Sequence, residues 1–173
     1  MAESEKTRIT KIIVRDGIVL GLIGYFSVVI LYALFDFLAA RGFLFTVDLL
    51  GRSVFRGLED PSVLALPGRA PDLMAVSLFT ALHLFLSLLI GFIVSILIEM
   101  SEEDPRKARL ILFVLVSGFF VTILGVGMLS EQIRMLLPWW TILLANILAV
   151  VISSIYLTKK HPGIWDRLGP FPG

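Results

Sequence analysis

"LMAVSLFTALHLFLSLLIGFIVSIL" (Leu73–Leu97) is the stretch that decides the fold class. It contains no Asp, Glu, Lys or Arg, and as a helix it would extend about 37 Å at 1.5 Å per residue. The hydrocarbon core of a bilayer is about 30 Å thick, and a helix crosses it with all backbone polar groups paired. The stretch therefore predicts a transmembrane helix.

Three other apolar runs have comparable length. Together they predict an all-α integral membrane bundle of four transmembrane helices, in one domain covering 1–173. The spans are expected at about 17–40, 73–97, 110–129 and 139–157. The first run follows basic residues like a signal peptide, but it is much longer than the apolar core of one, so it is interpreted as a retained span.

The distribution of Lys and Arg predicts the orientation, because basic residues concentrate on the cytoplasmic side. Ten of these residues fall in the tail 1–16, the loop between spans two and three, and the tail 158–173; five fall elsewhere. Both tails are therefore expected on the cytoplasmic side of a bacterial inner membrane. The loop 41–72 is expected outside, and Trp139 and Trp140 at the outer interface.

The outer loop is expected to contain an amphipathic helix lying in the membrane interface. Val47, Leu50, Val54 and Leu58 form an apolar stripe, while charged residues fall off it. The stripe indicates either a lid or docking surface, or an ordinary return of the chain along the headgroups. Gly51, in the middle of the pattern, is unfavourable within a helix.

Small residues recur at helical spacing in every span, which favours close helix–helix packing. The residues expected to pack helices together are Gly17, Gly21, Ser87, Gly91, Ser95 and Asn146. The pair Gly17–Gly21 is a GxxxG motif, and Ser87, Gly91 and Ser95 share one face of span two.

Polar residues within spans are rare and are candidates for function. Tyr32, Asp36, Thr80 and Thr122 are placed in the outer half of the bundle, where they are expected to form a polar cluster if their faces meet. Asp36 has two interpretations: an acid that controls proton entry at the outer mouth, or a structural group near Arg41.

His83, near the midplane of span two, has three interpretations. It is a structural residue that hydrogen-bonds a neighbouring span, a cofactor-binding residue that contacts a tetrapyrrole, or a group that contacts quinol and exchanges protons. It is the only histidine inside a span, so a haem held between two histidines of this chain is excluded. His161, in "HPG", is expected only to end the fourth span, without a second ligand nearby.

Several classes of function are excluded or disfavoured. Cysteine is absent, which excludes disulfides, thiolate metal sites, iron–sulfur clusters and covalent c-type haem. The net charge of +1 indicates no nucleic-acid partner. The sequence has no phosphate-binding glycine loop and no cluster of metal-ligand type, so neither catalytic nor metal residues are expected.

The leading hypothesis is a non-catalytic accessory subunit of a larger inner-membrane complex, of the energy-converting kind found in respiratory or photosynthetic electron transport. Its partners would be lipids and other membrane subunits, and the chain alone would hold no cofactor. One alternative is a small homo-oligomeric channel or transporter with a polar stripe around His83. Another is a module that contacts a tetrapyrrole or quinol through His83.

The orientation can be tested with single cysteines, because the chain has none of its own. We expect Ser62→Cys to react with a membrane-impermeant maleimide added from outside, and Ser4→Cys to react only after permeabilisation. The reverse pattern would contradict the assignment of both termini to the cytoplasm.

Overall fold

The computed structural model describes residues 2–57, 70–104, 113–114, 116–121, 123–124 and 136–163. Its helices are α1 (Ala2–Leu38), α2 (Phe45–Phe55), α3 (Leu73–Glu103) and α4 (Trp139–Lys160), and no strand occurs in the described ranges. Three segments are long and apolar enough to cross a membrane: Thr7–Leu38, Leu73–Glu102 and Trp139–Lys160. The prediction of an all-helical membrane protein is confirmed.

The predicted third span at 110–129 is described only in part. Residues 113–114, 116–121 and 123–124 are helical, and the rest of that span lies outside the described residues. Residues 58–69 of the outer loop and 164–173 of the C-terminal tail lie outside them as well.

The helix bounds differ from the predicted spans in ways that local sequence explains. α1 begins at Ala2 rather than near Gly17, because the preceding residues include no Pro or Gly to interrupt it. α3 continues past Leu97 and stops at Asp104, which precedes a proline and is extended. α4 begins at Trp139 directly after Pro138, where its start was predicted.

α1 is the helix around which α3 and α4 are arranged, since it packs against both. Its contact with α3 is made at glycines. A Cβ added to Gly91 would collide with the carbonyl of Gly17 and the backbone of Gly21. Gly21 also lies against the backbone of Leu88. Between helices in lipid there is little hydrophobic driving force, so this close backbone packing is a main source of stability.

Two buried clusters lie towards opposite ends of the bundle. At what we call the His161 end, where His161 contacts Asp16 and Glu102, the apolar cluster comprises Leu20, Ile98 and Leu157, one from each of α1, α3 and α4. At what we call the Arg41 end, where Arg41 donates to the carbonyl of Leu136, the cluster comprises Tyr32, Leu49, Leu137 and Ala145.

The helix α2 exists within the predicted outer loop, and the face that it buries against the rest of the chain differs from the apolar stripe expected to lie on the membrane interface. Val54 is 47% exposed, whereas Thr46, Leu49, Gly51 and Arg52 are buried. Gly51 is required there, because a Cβ would lie 2.5 Å from the carbonyl oxygen of Ala75 in α3. The glycine that weakened the helical pattern is thus explained by close packing.

The polar face of α2 is paired with the chain that enters α3. The Asp48 carboxylate accepts from Nε of Arg52 and, at 2.7 Å, from the backbone N–H of Asp72. Asp72 in turn caps α3 by accepting from the N–H groups of Met74 and Ala75. Backbone hydrogen bonds stabilise the ionised carboxylate, and Arg56 adds to this, so the pKa of Asp72 is lowered.

The glycine contact between α1 and α3 can be tested by comparing two Gly→Ala substitutions. Gly91→Ala should destabilise the protein by about 1–3 kcal/mol, because the added methyl group meets backbone that cannot move aside cheaply. Gly24→Ala is the matched control, since a Cβ added there would have no atom within 4 Å. Unfolding in mixed detergent measures both; equal effects would contradict the proposed contact.

Candidate functional site

The most concentrated set of buried polar groups surrounds Asp16 at the His161 end. The Asp16 side chain is 1% exposed, and its carboxylate has three partners. The Tyr156 hydroxyl and Nε of Arg15 donate to Oδ1 at 2.8 and 2.7 Å, and Nε2 of His161 lies 2.9 Å from Oδ2. A buried carboxylate needs such partners to remain charged, so Asp16 fixes the positions of α1 and α4 relative to each other.

His161 connects three helices. It is the first residue after α4. Its backbone N–H donates to the carbonyl of Leu157 at 2.7 Å, which fixes the backbone position from which the imidazole side chain extends. Its Nδ1 lies 2.9 Å from Oε1 of Glu102 in α3, while Nε2 contacts Asp16 in α1. The expectation that His161 only ends a span, with no second ligand nearby, is therefore wrong, because two carboxylates contact its ring.

The two carboxylates determine the protonation of His161. Burial by itself would lower the pKa of His161, but hydrogen bonds and charges from Asp16 and Glu102 raise it above the ordinary value. The ring is thus biased towards the imidazolium form, which donates a hydrogen bond from each nitrogen.

Ligand atoms of Glu99, Glu102 and His161 lie within 4.8 Å of one another, a spacing that a metal ion can bridge. However, Nδ1 of His161 is already at hydrogen-bond distance from Glu102. Within the described residues no other feature favours a metal ion over a proton at this position.

The second polar cluster lies at the Arg41 end and explains Asp36. Asp36 is fully buried and accepts from both the backbone N–H and the hydroxyl of Thr46, each at 2.7 Å. It thereby supplies a partner for an amide at the start of α2, which has no cap from its own N-cap residue, Leu44. This geometry corresponds to the structural interpretation of Asp36.

Arg41 completes this cluster. Its guanidinium lies 4.8 and 4.7 Å from the ring centroids of Phe35 and Phe45, and 4.0 Å from the Asp36 carboxylate. Cation–π contact and the hydrogen bond to Leu136 therefore hold the charge beside the apolar core.

The remaining members of the predicted polar cluster are dispersed. Tyr32 is buried in the apolar cluster at the Arg41 end. Thr80 is half-buried on α3. The hydrogen bonds that Asp36 accepts come from Thr46 and not from Thr80. Thr122 lies outside the described residues.

His83 lies between α3 and α1. Its ring is 5.4 Å from the ring of Tyr25 and stacks on that of Phe79 at 6.2 Å. Its Nε2 is buried and has no hydrogen-bond partner among the described residues.

The predicted helix-packing residues occupy different kinds of contact. Gly17, Gly21 and Gly91 form the backbone contact described above, and the Ser87 carbonyl borders it. The Ser95 hydroxyl donates across helices to the carbonyl of Ile13 at 3.1 Å. The Asn146 amide instead donates to Ile142 in its own helix, one turn earlier.

The sequence interpretation missed the residues around Asp16. The available signal was a carboxylate at the very start of an apolar run, where a charge is unfavourable unless it is paired. Its partners Tyr156 and His161 are distant in sequence, near the end of α4 and just beyond it, so spacing alone does not indicate them.

No protein-family model matches the chain, and no curated protein or solved structure matches it either. Inferences about function therefore depend on the residues and contacts of the chain itself.

The role of Asp16 predicts the effect of removing one hydroxyl. Tyr156→Phe should destabilise the protein by about 1 kcal/mol or somewhat more, because a buried carboxylate loses one of three hydrogen bonds. Tyr25→Phe is the matched control, since Tyr25 contributes ring contacts with Phe26 and His83. Thermal unfolding in detergent would measure both; a smaller loss for Tyr156→Phe than for the control would contradict this role.

Proposed function

We propose that the protein is a non-catalytic accessory subunit of a larger inner-membrane complex, of the energy-converting, electron-transport kind. In this proposal it is a four-span bundle with both termini in the cytoplasm, and its partners are lipids and other membrane subunits.

The proposal rests on the finding that the buried carboxylates are paired with other parts of the same chain. Asp16 and Asp36 are both engaged in contacts that tie helices of the same chain together. Such groups serve folding, whereas a catalytic group has to be accessible to a substrate. This supports a structural role for the chain.

The residues around His83, which would form the polar stripe of a channel, also favour a structural role. His83 packs against Tyr25 of α1, and the Ser87 carbonyl borders Gly21. These positions are thus used in the contact between α1 and α3, which gives the accessory-subunit proposal more support than a pore through this stripe.

The relative positions of the helix ends support the four-span topology. His161, after α4, contacts both Asp16 in the first half of α1 and Glu102 near the end of α3. At the other end, Arg41, just after α1, contacts the carbonyl of Leu136, just before α4. The chain between α3 and α4 therefore starts at one end of the bundle and finishes at the other.

A second candidate function is contact with a quinol or tetrapyrrole through His83. The observation that favours it is the buried Nε2 without a partner in the described part of the chain. Buried polar groups normally have a hydrogen-bond partner. The absorption spectrum of the purified assembly tests it: a bound chromophore that is lost in His83→Phe supports this function, and no chromophore or quinol in the assembly ends it.

The accessory-subunit proposal is tested by purification at native expression level in a mild detergent. We expect one or more membrane proteins to co-purify in fixed stoichiometry, and the same set to be recovered with a tag on either terminus. A tagged inner-membrane protein of similar size is the control for nonspecific association. Recovery of the chain by itself would contradict the proposal.

A further inference from the structure

One imidazole ring separates two carboxylates that belong to different helices. Nε2 of His161 is 2.9 Å from Asp16 in α1, and Nδ1 is 2.9 Å from Glu102 in α3. Both distances are typical of hydrogen bonds. The ring itself is carried by the residue that follows α4, so the ends of α3 and α4 meet α1 at this ring.

The number of protons on the His161 ring determines whether it can donate to both carboxylates, an arrangement that we call the bridge. A neutral imidazole has one N–H, whereas an ionised carboxylate can only accept. With a neutral ring, one of the two contacts would bring a nitrogen lone pair against a carboxylate oxygen. With an imidazolium ring, both nitrogens donate, and one positive charge lies between two negative ones.

We propose that His161 is a proton-operated clasp at the His161 end, closed when its ring is doubly protonated and released from Glu102 when the ring loses a proton. The clasp couples the position of the end of α4 relative to the end of α3 to the pH at this face of the membrane.

The asymmetry of the two carboxylates determines which contact is released. The Asp16 side chain is 1% exposed, whereas the Glu102 side chain is 29% exposed and borders water. Loss of a proton therefore leaves Nε2–H donating to Asp16. Nδ1 becomes an acceptor facing Glu102, and the more exposed Glu102 side chain turns towards water.

Each element that meets at the ring carries charged or titratable groups at this end. They are Arg15 and Asp16 of α1, Glu99 and Glu102 of α3, and Tyr156, Lys159 and Lys160 of α4. The two groups in direct contact are acidic, and they favour the charged ring. The upward direction of the pKa of His161 agrees with this geometry.

The direction of the pH dependence follows from the raised pKa. The ordinary pKa of an unfolded histidine is about 6.5. The stability that the bridge contributes is fully present below that pH, and it is lost as pH rises through the higher folded-state pKa. The clasp is thus closed on the acidic side and opens on the alkaline side.

Nitrogen NMR of histidine-labelled protein in nanodiscs tests the protonation directly, since the chain has only two histidines. The variant His83→Gln assigns the signals. We expect both nitrogens of His161 to be protonated near pH 6.5, with Nδ1 losing its proton first as pH rises. Glu102→Gln should lower the pKa of His161, because the ring loses one of its two negative partners. A ring that is neutral at pH 6.5 would overturn the proposal.

The same samples distinguish a proton from a metal ion. We expect the His161 signals to be unchanged by a chelator and by added Mg²⁺ or Zn²⁺ at micromolar concentration. A shift of the Nδ1 signal that depends on the metal would overturn the proposal in favour of a cation site.

The opening of the clasp is measured with spin labels at Met100→Cys and Lys159→Cys, both on exposed positions near the ends of α3 and α4. The distance between the labels should lengthen or broaden as pH rises. This change should disappear in Glu102→Gln and persist in the matched control His83→Gln. If the distance does not depend on pH in the unsubstituted background, the clasp does not act on α4, and the proposal fails.

Discussion

The close approach of α1 and α3 at Gly17, Gly21 and Gly91 is the constraint on which the other contacts depend. In lipid, polar groups must be paired within the protein, and short side chains reach a neighbouring helix only when the backbones are close. Because the glycines permit this approach, the Ser95 hydroxyl reaches the carbonyl of Ile13. Bulkier residues at the crossing would separate the helices and leave such groups unpaired.

The polar groups at the two ends then determine which helices meet. Asp16 collects donors from α1, α4 and the residue after α4, and Asp36 joins the end of α1 to the start of α2. Apolar contacts alone would leave the rotation of these helices loosely defined. Hydrogen bonds to buried charges are stronger and more directional, so they select one arrangement.

Much of the fold was predictable because it depends on local pattern. The apolar run at Leu73–Leu97, the start of α4 after Pro138 and the small-residue faces all follow from composition and spacing. The missed features depend on residues far apart in sequence. Thr46 pairs with Asp36 across a turn, and the buried face of α2 is selected by α3, which requires glycine at position 51. His161 could not be placed, because its partners lie 145 and 59 residues away.

A structural function and a pH-dependent clasp are compatible in one chain. An accessory subunit contacts its neighbours through the outer surfaces of its helices. A change in how α4 packs at one end would alter the surface that it presents. In this view His161 links the proton concentration on one side of the membrane to the shape of that surface, while the Arg41 end stays fixed by Asp36, Thr46 and Arg41.

The most direct measurement of whether buried pairing holds the helices together is a double-mutant cycle between Asp16 and His161. Asp16→Asn, His161→Gln and the double variant would be compared by reversible unfolding in mixed detergent at pH 6. We expect a coupling free energy of about 1.5–3 kcal/mol, as for hydrogen bonds to charged groups. Effects that add to within about 0.5 kcal/mol would show that the two residues act independently, and would contradict the contact between α1 and the end of α4.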